Sequence, residues 1–403
     1  MNCRSCKNRI MPFFSLGRMP LVNSFLKKKK DFLSEKKFDL TVGFCPKCYL
    51  VQLTKTVPPE EMFRNYVYFS STSSLFLKHC EDVAEELVKK LNLSSKSLVL
   101  EIASNDGAQL KAFKKRGVRV LGVDPAKNIA KVANKEGIET VPDFFNYKFA
   151  KQLKDKKGIM ADLIYGANVL AHVPKITDFV KGVKEVLAKG GTAVFELPYI
   201  RGLFENKFDT IYHEHVFYYS LVALRNLFHS AGLDIYDVKM TPMQGGSLMI
   251  FASHPDNFSV SQNVEKLVKK ELKDGFDKLA TYKKINNNVS KLKTELLFLL
   301  KKIKTGGKRI AAYGAAAKGT VLMNYFGIAP YLDFISDKSV AKQGLYTPGT
   351  HLMVYPPEEV YKRKPDYLLI LPWNIADEIV KQYGDYKKAG GKFIVPVPRV
   401  KVI

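Results

Sequence analysis

Short apolar runs that stop at an acid or a tight turn, each followed by an amphipathic stretch, recur along most of this chain. The clearest is SerLeuValLeuGluIleAlaSerAsnAspGly over residues 97–107, which predicts a strand, a turn and then a helix over 108–116. The same alternation predicts a strand over 118–123, an apolar step at ValProAspPhePhe over 141–145, a strand over 161–169 and a helix over 176–188. Gly190 and Gly191 are expected to turn the chain into ThrAlaValPheGluLeuPro. Strands alternating with helices predict a doubly wound parallel sheet, whose ligand sits at the carboxyl ends of the strands. A long helix is expected before this unit, over 75–91. After it, residues 221–231 read as a helix and 245–253 as a strand, followed by a lysine-rich helical connector over 264–304.

The pattern then begins again. LysArgIleAlaAlaTyrGlyAlaAlaAlaLysGlyThr over 308–320 predicts a strand ending near Tyr313, a small-residue turn and a helix start carrying Lys318. Later apolar runs end at Asp337, at ProTrpAsn and at ValProValPro, so a second nucleotide-binding-like α/β unit is expected. A chain of 403 residues with 46% hydrophobic content is too long for one compact domain. ProPro at Pro58 and Pro59 marks the first break. The α/β architecture is therefore divided into an N-terminal module over 1–58, a Rossmann-like domain over 59–255 and a second Rossmann-like domain over 256–403.

Charge changes this picture little. The formal charge is +25, with four consecutive lysines at Lys27–Lys30. Lysine scattered over helix faces, as at Lys266, Lys269, Lys270 and Lys273, describes a solvated surface rather than a nucleic-acid readout patch. Neither a signal peptide nor a membrane span is expected, which points to the cytoplasm. A general positive field still favours a small substrate bearing diphosphate.

The cysteines form a sharper pattern. Four of the five lie in Cys3-x2-Cys6 and Cys45-x2-Cys48, a spacing that offers four thiolates to a structural zinc, with a pair of disulfides as the weaker alternative. Four sulfur ligands leave the metal no open position for chemistry.

The turn from Glu101 through Ala103 and Asn105 to Gly107 begins on an acid and has one glycine, where a dinucleotide site would show GxGxxG. An acid-led loop suits S-adenosylmethionine, which has no phosphate and carries a sulfonium and an ammonium. Asp124, 23 residues beyond Glu101, ends the next strand, where an acid receives ribose hydroxyls. Asp143 and Phe144 are placed to hold adenine, although the phenylalanine is equally a core candidate. Asn168 ends the following predicted strand, and His172 lies a few residues beyond it. Tyr66 and Tyr68 occupy a phenol- and hydroxyl-rich loop ahead of this sheet, the position of a lid or substrate wall.

IleTyrHisGluHis at 211–215 packs Tyr212, His213, Glu214 and His215 into consecutive positions. Imidazole near neutrality, a carboxylate and a phenol are the parts needed to deprotonate carbon beside a carbonyl. If the segment is extended, His213 faces away from His215 and is the structural member. Exposed amides and Lys318 in the C-terminal turn predict an anion cradle, with packing or dimerisation as the other reading of that unit.

The paired CxxC motifs, GluIleAlaSerAsnAspGly, TyrHisGluHis followed by TyrTyrSer, and TyrGlyAlaAlaAlaLysGly together resemble the S-adenosylmethionine-dependent sugar C-methyltransferases across almost the whole chain. The resemblance implies a zinc-binding module, a class I methyltransferase domain and a C-terminal domain that anchors a sugar nucleotide. The family usually has glycine where this chain has Ala103. The implied substrate is a nucleotide-linked 4-keto-6-deoxyhexose, on thymidine or guanosine diphosphate. By resemblance Tyr212, Glu214 and His215 are catalytic, with His215 as base for an enolate at C3, and Tyr66 and His172 line the pocket. Tyr68, Tyr313 and Lys318 complete the expected substrate contacts. The implied protein is a monomer or weak oligomer that binds neither nucleic acid nor membrane. The alternatives are a sugar O-methyltransferase and a zinc-ribbon nucleic-acid methyltransferase.

Overall fold

A computed structural model describes residues 1–63, 70–72 and 74–403. Among the described residues the strands form three sheets. The first is antiparallel: β1 (Met11–Pro20), β2 (Lys37–Phe44) and β3 (Val51–Leu53) pair in order.

The second sheet begins with parallel strands β4 (Leu98–Ile102), β5 (Arg119–Val123), β6 (Thr140–Val141), β7 (Ala161–Ala167) and β8 (Leu187–Pro198). A short β9 (Phe217–Tyr218) then leaves this sheet and pairs with β3, joining the N-terminal module to the central unit. β10 (Asp234–Thr241) and β11 (Ser247–Ser253) return, giving the order β10-β11-β8-β7-β4-β5-β6. The predicted parallel sheet thus has an antiparallel pair at one edge. Chain order reverses between β4 and β7, and that crevice is where a doubly wound sheet binds its ligand.

Gly190 and Gly191 depart from expectation by lying inside β8. The parallel register jumps from Ala161 opposite Leu187 to Leu163 opposite Thr192, so the extra residues bulge out of the ladder. A Cβ at Gly191 would sit 2.9 Å from the carbonyl oxygen of Ala161, which explains why the bulge carries glycine.

The third sheet consists of β12 (Ile310–Tyr313), β13 (Phe334–Ser336), β14 (Val354–Tyr355), β15 (Tyr367–Ile370), β16 (Lys392–Val395) and β17 (Lys401–Val402). Its order is β14-β13-β12-β15-β16-β17, parallel except for β17, so this is a second Rossmann-like sheet with its own reversal at β12. The expected single connector is two helices, Gln262–Lys273 and Leu279–Thr305, separated where Gly275 adopts a left-handed φ of 77°. The longer helix buries Tyr282, Ile285, Val289, Leu292, Leu296, Leu300 and Ile303 at helical spacing. Tyr282 meets Phe13 of β1 with ring centroids 5.3 Å apart, and Asn286 donates to the Phe13 carbonyl at 2.6 Å. This helix therefore braces the N-terminal sheet as well as leading to β12. No helix among the described residues is long and apolar enough to cross a membrane.

Candidate active site

The loop after β4 gathers three of the residues expected at the methyl donor. Ala103, Asn105 and Gly107 all take left-handed backbone conformations, with φ of 60°, 49° and 76°. Asparagine and glycine tolerate this geometry, but alanine does so at a cost of roughly 1 kcal/mol. Gly107 is required on a second ground, because a Cβ there would lie 2.9 Å from the Ile138 side chain. Asp124, at the end of β5, accepts from the amides of Asn105 and Ala126, both at 2.9 Å, and so shapes the loop as well as facing it.

Acidic groups dominate this crevice. Glu101, Asp106 and Asp124 are buried, and burial followed by the charges of Asp124 and Asp106 pushes the Glu101 carboxyl well above its usual range. Glu101 Oε2, Ser104 Oγ and Asp106 Oδ1 have no hydrogen-bond partner among the described residues. Unsatisfied buried acceptors around like charges fit a ligand that brings positive charge and donors, as S-adenosylmethionine does with its sulfonium and ammonium. The amides of Ser70 and Ser71 reach the same loop, donating to Asn105 Oδ1 at 3.0 Å and Asp106 Oδ2 at 3.1 Å. Tyr66 and Tyr68 themselves lie outside the described residues.

Asp143 and Phe144 follow the two-residue β6, where Asp143 is exposed and caps the Phe144 amide at 2.7 Å, while Phe145 takes the core position. Asn168 is half-buried just past β7, with a left-handed φ of 59° and its amide on the Glu196 carbonyl.

Glu101→Gln is expected to separate stability from binding. With its folded pKa raised, Glu101 stabilises the ligand-free fold only at low pH, and that contribution is lost as pH rises through the folded value. At pH 8 the variant should therefore melt a few degrees higher than wild type without cofactor. It should bind S-adenosylmethionine roughly 10- to 100-fold more weakly, the worth of one charge-assisted hydrogen bond. Thermal melts with and without ligand measure both effects; unchanged affinity would remove Glu101 from the cofactor contacts.

The TyrHisGluHis segment is a tight turn rather than the extended run expected, because the His215 amide donates to the Tyr212 carbonyl at 2.9 Å. A turn brings its first and fourth residues together. Tyr212 Oη lies 2.8 Å from His215 Nε2, and His215 Nδ1 lies 2.8 Å from the Thr210 carbonyl. A carbonyl only accepts, so Nδ1 carries the proton and Nε2 is the acceptor, receiving the phenol hydrogen. Burial, then His172, lowers the His215 pKa well below the usual histidine value, while the Thr210 bond opposes the shift. The His172 ring crosses that of His215 edge-on at 4.9 Å, and burial lowers its pKa to about 4. Both imidazoles are therefore neutral at neutral pH.

The turn's middle residues face the N-terminal module. His213 Nε2 donates to the Phe38 carbonyl at 3.2 Å, and Glu214 Oε1 accepts from Asn23 at 2.6 Å. His215 lines a narrow cavity with Ala171, Pro198, Thr210, Tyr218 and Gly246. Ala171 and Pro198 place this cavity at the carboxyl ends of β7 and β8.

In the C-terminal unit, Tyr313 and Lys318 part company. Tyr313 is buried against Tyr383 with centroids 5.1 Å apart, and burial pushes its phenol up to about 12. It is a packed side chain at the end of β12. Lys318 turns toward the central unit: its Nζ lies 4.6 Å from the centre of the Trp373 ring, and its charge reaches both Asp209 and His215.

Four polar residues about these sites were not anticipated. Glu196, buried at the end of β8, accepts from His79 at 2.7 Å and from Thr241. Asn23 holds Glu214, and Asp209 accepts from the Trp373 indole at 2.7 Å. For Glu196 alone a sequence signal existed, an acid at a strand end in PheGluLeuPro.

At the N-terminus all four sulfurs of Cys3, Cys6, Cys45 and Cys48 lie within 4.8 Å of one another. Cys3 to Cys48 is 3.6 Å and Cys6 to Cys45 is 3.4 Å, too long for disulfides and close to the ~3.8 Å edge of a tetrahedron with 2.3 Å zinc–sulfur bonds. Each CxxC closes in the same way. Lys7 and Tyr49, the residues after the second cysteine, adopt φ of 65° and 63° and donate their amides to the Cys3 and Cys45 carbonyls. Gln52 Nε2 donates to Cys3 Sγ at 3.1 Å, and Arg4 donates to Gln52 in turn. This is a structural zinc site.

Three families match successive parts of the chain. The methyltransferase domain family matches residues 76–238, the C-methyltransferase C-terminal domain family matches 242–398, and a zinc binding domain family matches 3–63. Among solved structures, magnesium protoporphyrin IX methyltransferase from Synechocystis PCC 6803, with bound SAH, has a TM-score of 0.36 and 14% identity, covering 44% of this chain and 83% of that one. An S-adenosylmethionine-dependent methyltransferase from Clostridium acetobutylicum ATCC 824 has a TM-score of 0.36 and 14% identity, covering 44% and 92%. The donor loop, the sulfur cluster and the matched domains define an S-adenosylmethionine-dependent C-methyltransferase with a structural zinc. More particularly, the chain belongs to the family of C-methyltransferase NovU from Streptomyces niveus, with 35% identity over 405 residues, covering 100% of this chain and 96% of that protein. C-methyl transfer displaces the O-methyl alternative.

Proposed function

We propose that the enzyme methylates C3 of a nucleotide-linked 4-keto-6-deoxyhexose, on thymidine or guanosine diphosphate, through an enolate. The observation that carries this reading is the His215 imidazole, neutral and with Nδ1 tied to a carbonyl, so that its Nε2 lone pair meets a phenol beside a cavity at the strand ends.

An unactivated sugar carbon is far too weak an acid for imidazole, whereas carbon next to a ketone is within reach when its enolate is stabilised. On this reading Nε2 takes the C3 proton, the C–H electron pair becomes the enolate, and Tyr212 turns its hydroxyl from Nε2 to the enolate oxygen. Glu214, fixed by Asn23, orients the turn or binds a sugar hydroxyl. Lys318 and His172 complete the substrate contacts, and Tyr66 and Tyr68 belong to the wall expected ahead of the donor loop. S-adenosylmethionine, held by the β4 loop with Asp124, Asp143, Phe144 and Asn168, supplies an electrophilic methyl. As the ketone closes again and the new carbon–carbon bond forms, the methyl–sulfur bond would break with its electron pair left on sulfur, and the C3 proton stays on His215 Nε2.

Hydrogen exchange tests the proposal directly. With S-adenosylhomocysteine bound and no methyl to transfer, the enzyme in deuterated water should wash out the hydrogen on C3 of its 4-keto sugar. Exchange confined to C5, the other carbon beside the ketone, would move the methylation site there. A substrate that turns over with no exchange at either carbon would sink the enolate.

A further inference from the structure

The turn that carries Thr210 is gripped from the C-terminal unit as well as from the unit that contains it. Phe208, Asp209 and Thr210 form a single 3-10 turn immediately before the TyrHisGluHis segment. Phe208 is fully buried and stacks on Phe326, with centroids 4.9 Å apart, in the helix Ala317–Phe326 after β12. Asp209 is also fully buried. Its Oδ2 accepts from the indole Nε1 of Trp373, just past β15, at 2.7 Å, while Oδ1 has no hydrogen-bond partner among the described residues. Lys318 lies over the same indole and supplies the opposing charge. The turn is closed by Thr210 Oγ1 on the Lys207 carbonyl at 2.8 Å and by the Ile211 amide on the Phe208 carbonyl at 2.9 Å. The free Thr210 carbonyl then points at His215 Nδ1.

A buried carboxylate with one direct donor is an expensive way to pack a turn, since an apolar residue of similar size is commonly neutral or better there. What the carboxylate adds is direction. We propose that Asp209, gripped by Trp373, is a positioning residue that keeps the Thr210 carbonyl aimed at His215 Nδ1, holding the proton on Nδ1 and the lone pair on Nε2. The C-terminal unit thereby prepares the base as well as contributing to the substrate pocket. The inference rests on His215 acting as base, but its first test does not.

That test is the tautomer of His215, read from its two ring nitrogens by 15N NMR on the full chain and assigned by the signal missing in His215→Gln. Wild type should show Nδ1 protonated and Nε2 bare. Trp373→Phe keeps the ring and drops the donor; it should show both tautomers and lose at least about tenfold in kcat, with KM for S-adenosylmethionine unchanged. Asp209→Leu, which removes the acceptor itself, should do the same, with a melting curve to check that the variant folds. A pure Nδ1–H state in a folded variant overturns the proposal, whatever the turnover. Mixed tautomers with wild-type kcat would uphold the positioning role and remove His215 as base, so the two failures are told apart.

Discussion

Converting His215 to Gln lowers methyl transfer by about 10²- to 10⁴-fold, the range a positioned general base supplies, and leaves S-adenosylmethionine affinity at the wild-type level. Glutamine can place an amide oxygen near the Tyr212 hydroxyl, so the turn survives, but no atom of the new side chain takes a proton at neutral pH. The cofactor loop after β4 is a separate segment, tied to Asp124 and not to this turn. Wash-out of the sugar hydrogen should fall in parallel with methylation, because both need the same proton removed. The pH profile gives a second reading. A base works only when unprotonated, and burial puts the His215 pKa well below its ordinary 6.5. In wild type the acidic limb of kcat should therefore lie below pH 6.5 and turnover should be flat from there through neutrality. Single-turnover rates with saturating cofactor measure this directly. Full turnover by the glutamine variant, or an acidic limb at or above an ordinary histidine value, removes His215 from the role.

What could be read from the chain in advance was whatever depends on short spacing. A CxxC needs only its own turn to aim two sulfurs, so two of them gave the metal cluster outright. The strand of residues 98–102 and its acid, turn and glycine are equally local, and the second Rossmann-like unit repeats that local pattern at β12. The TyrHisGluHis turn was legible in composition but not in shape. Periodicity cannot tell an extended TyrHisGluHis from a tight turn, and the turn reverses which residues meet: Tyr212 joins His215, and Glu214 swings to the N-terminal module. Lys318 looked like part of a local phosphate cradle, because a small-residue turn suggests one; its charge is instead felt by Asp209 and His215 in the central unit. Tyr313 shares that motif yet packs inward. Asn23, Asp209 and Trp373 carried no signal at all. Their partners are 191 and 164 residues away, and an isolated polar residue does not announce which distant surface it will meet.

Zinc removal should also cut turnover, although four sulfur ligands leave the metal no open position for substrate. Four sulfur ligands close its coordination, so its contribution is the folded module, and structural sites of this kind bind with ~10–16 kcal/mol in isolated zinc-finger peptides. Three links carry that order to the active site. Gln52, which donates to Cys3 Sγ, pairs in β3 opposite Phe217 of β9, two residues past His215. Phe38 of β2 accepts from His213, and Asn23 from the segment between β1 and β2 holds Glu214. Loosening the module thus releases both middle residues of the TyrHisGluHis turn and the strand after it. Cys45→Ser, or exhaustive chelation of wild type, should lower the zinc content from one equivalent, depress the melting temperature and cut turnover at least about tenfold. S-adenosylmethionine binding at the β4 loop should suffer less than turnover. Adding back Co2+, which accepts the same tetrahedral sulfur set, should restore activity in wild type, as a role in shape requires. Metal-free protein with wild-type turnover would show that the turn holds its form without the module and would break the chain of contacts from Cys3 to His215.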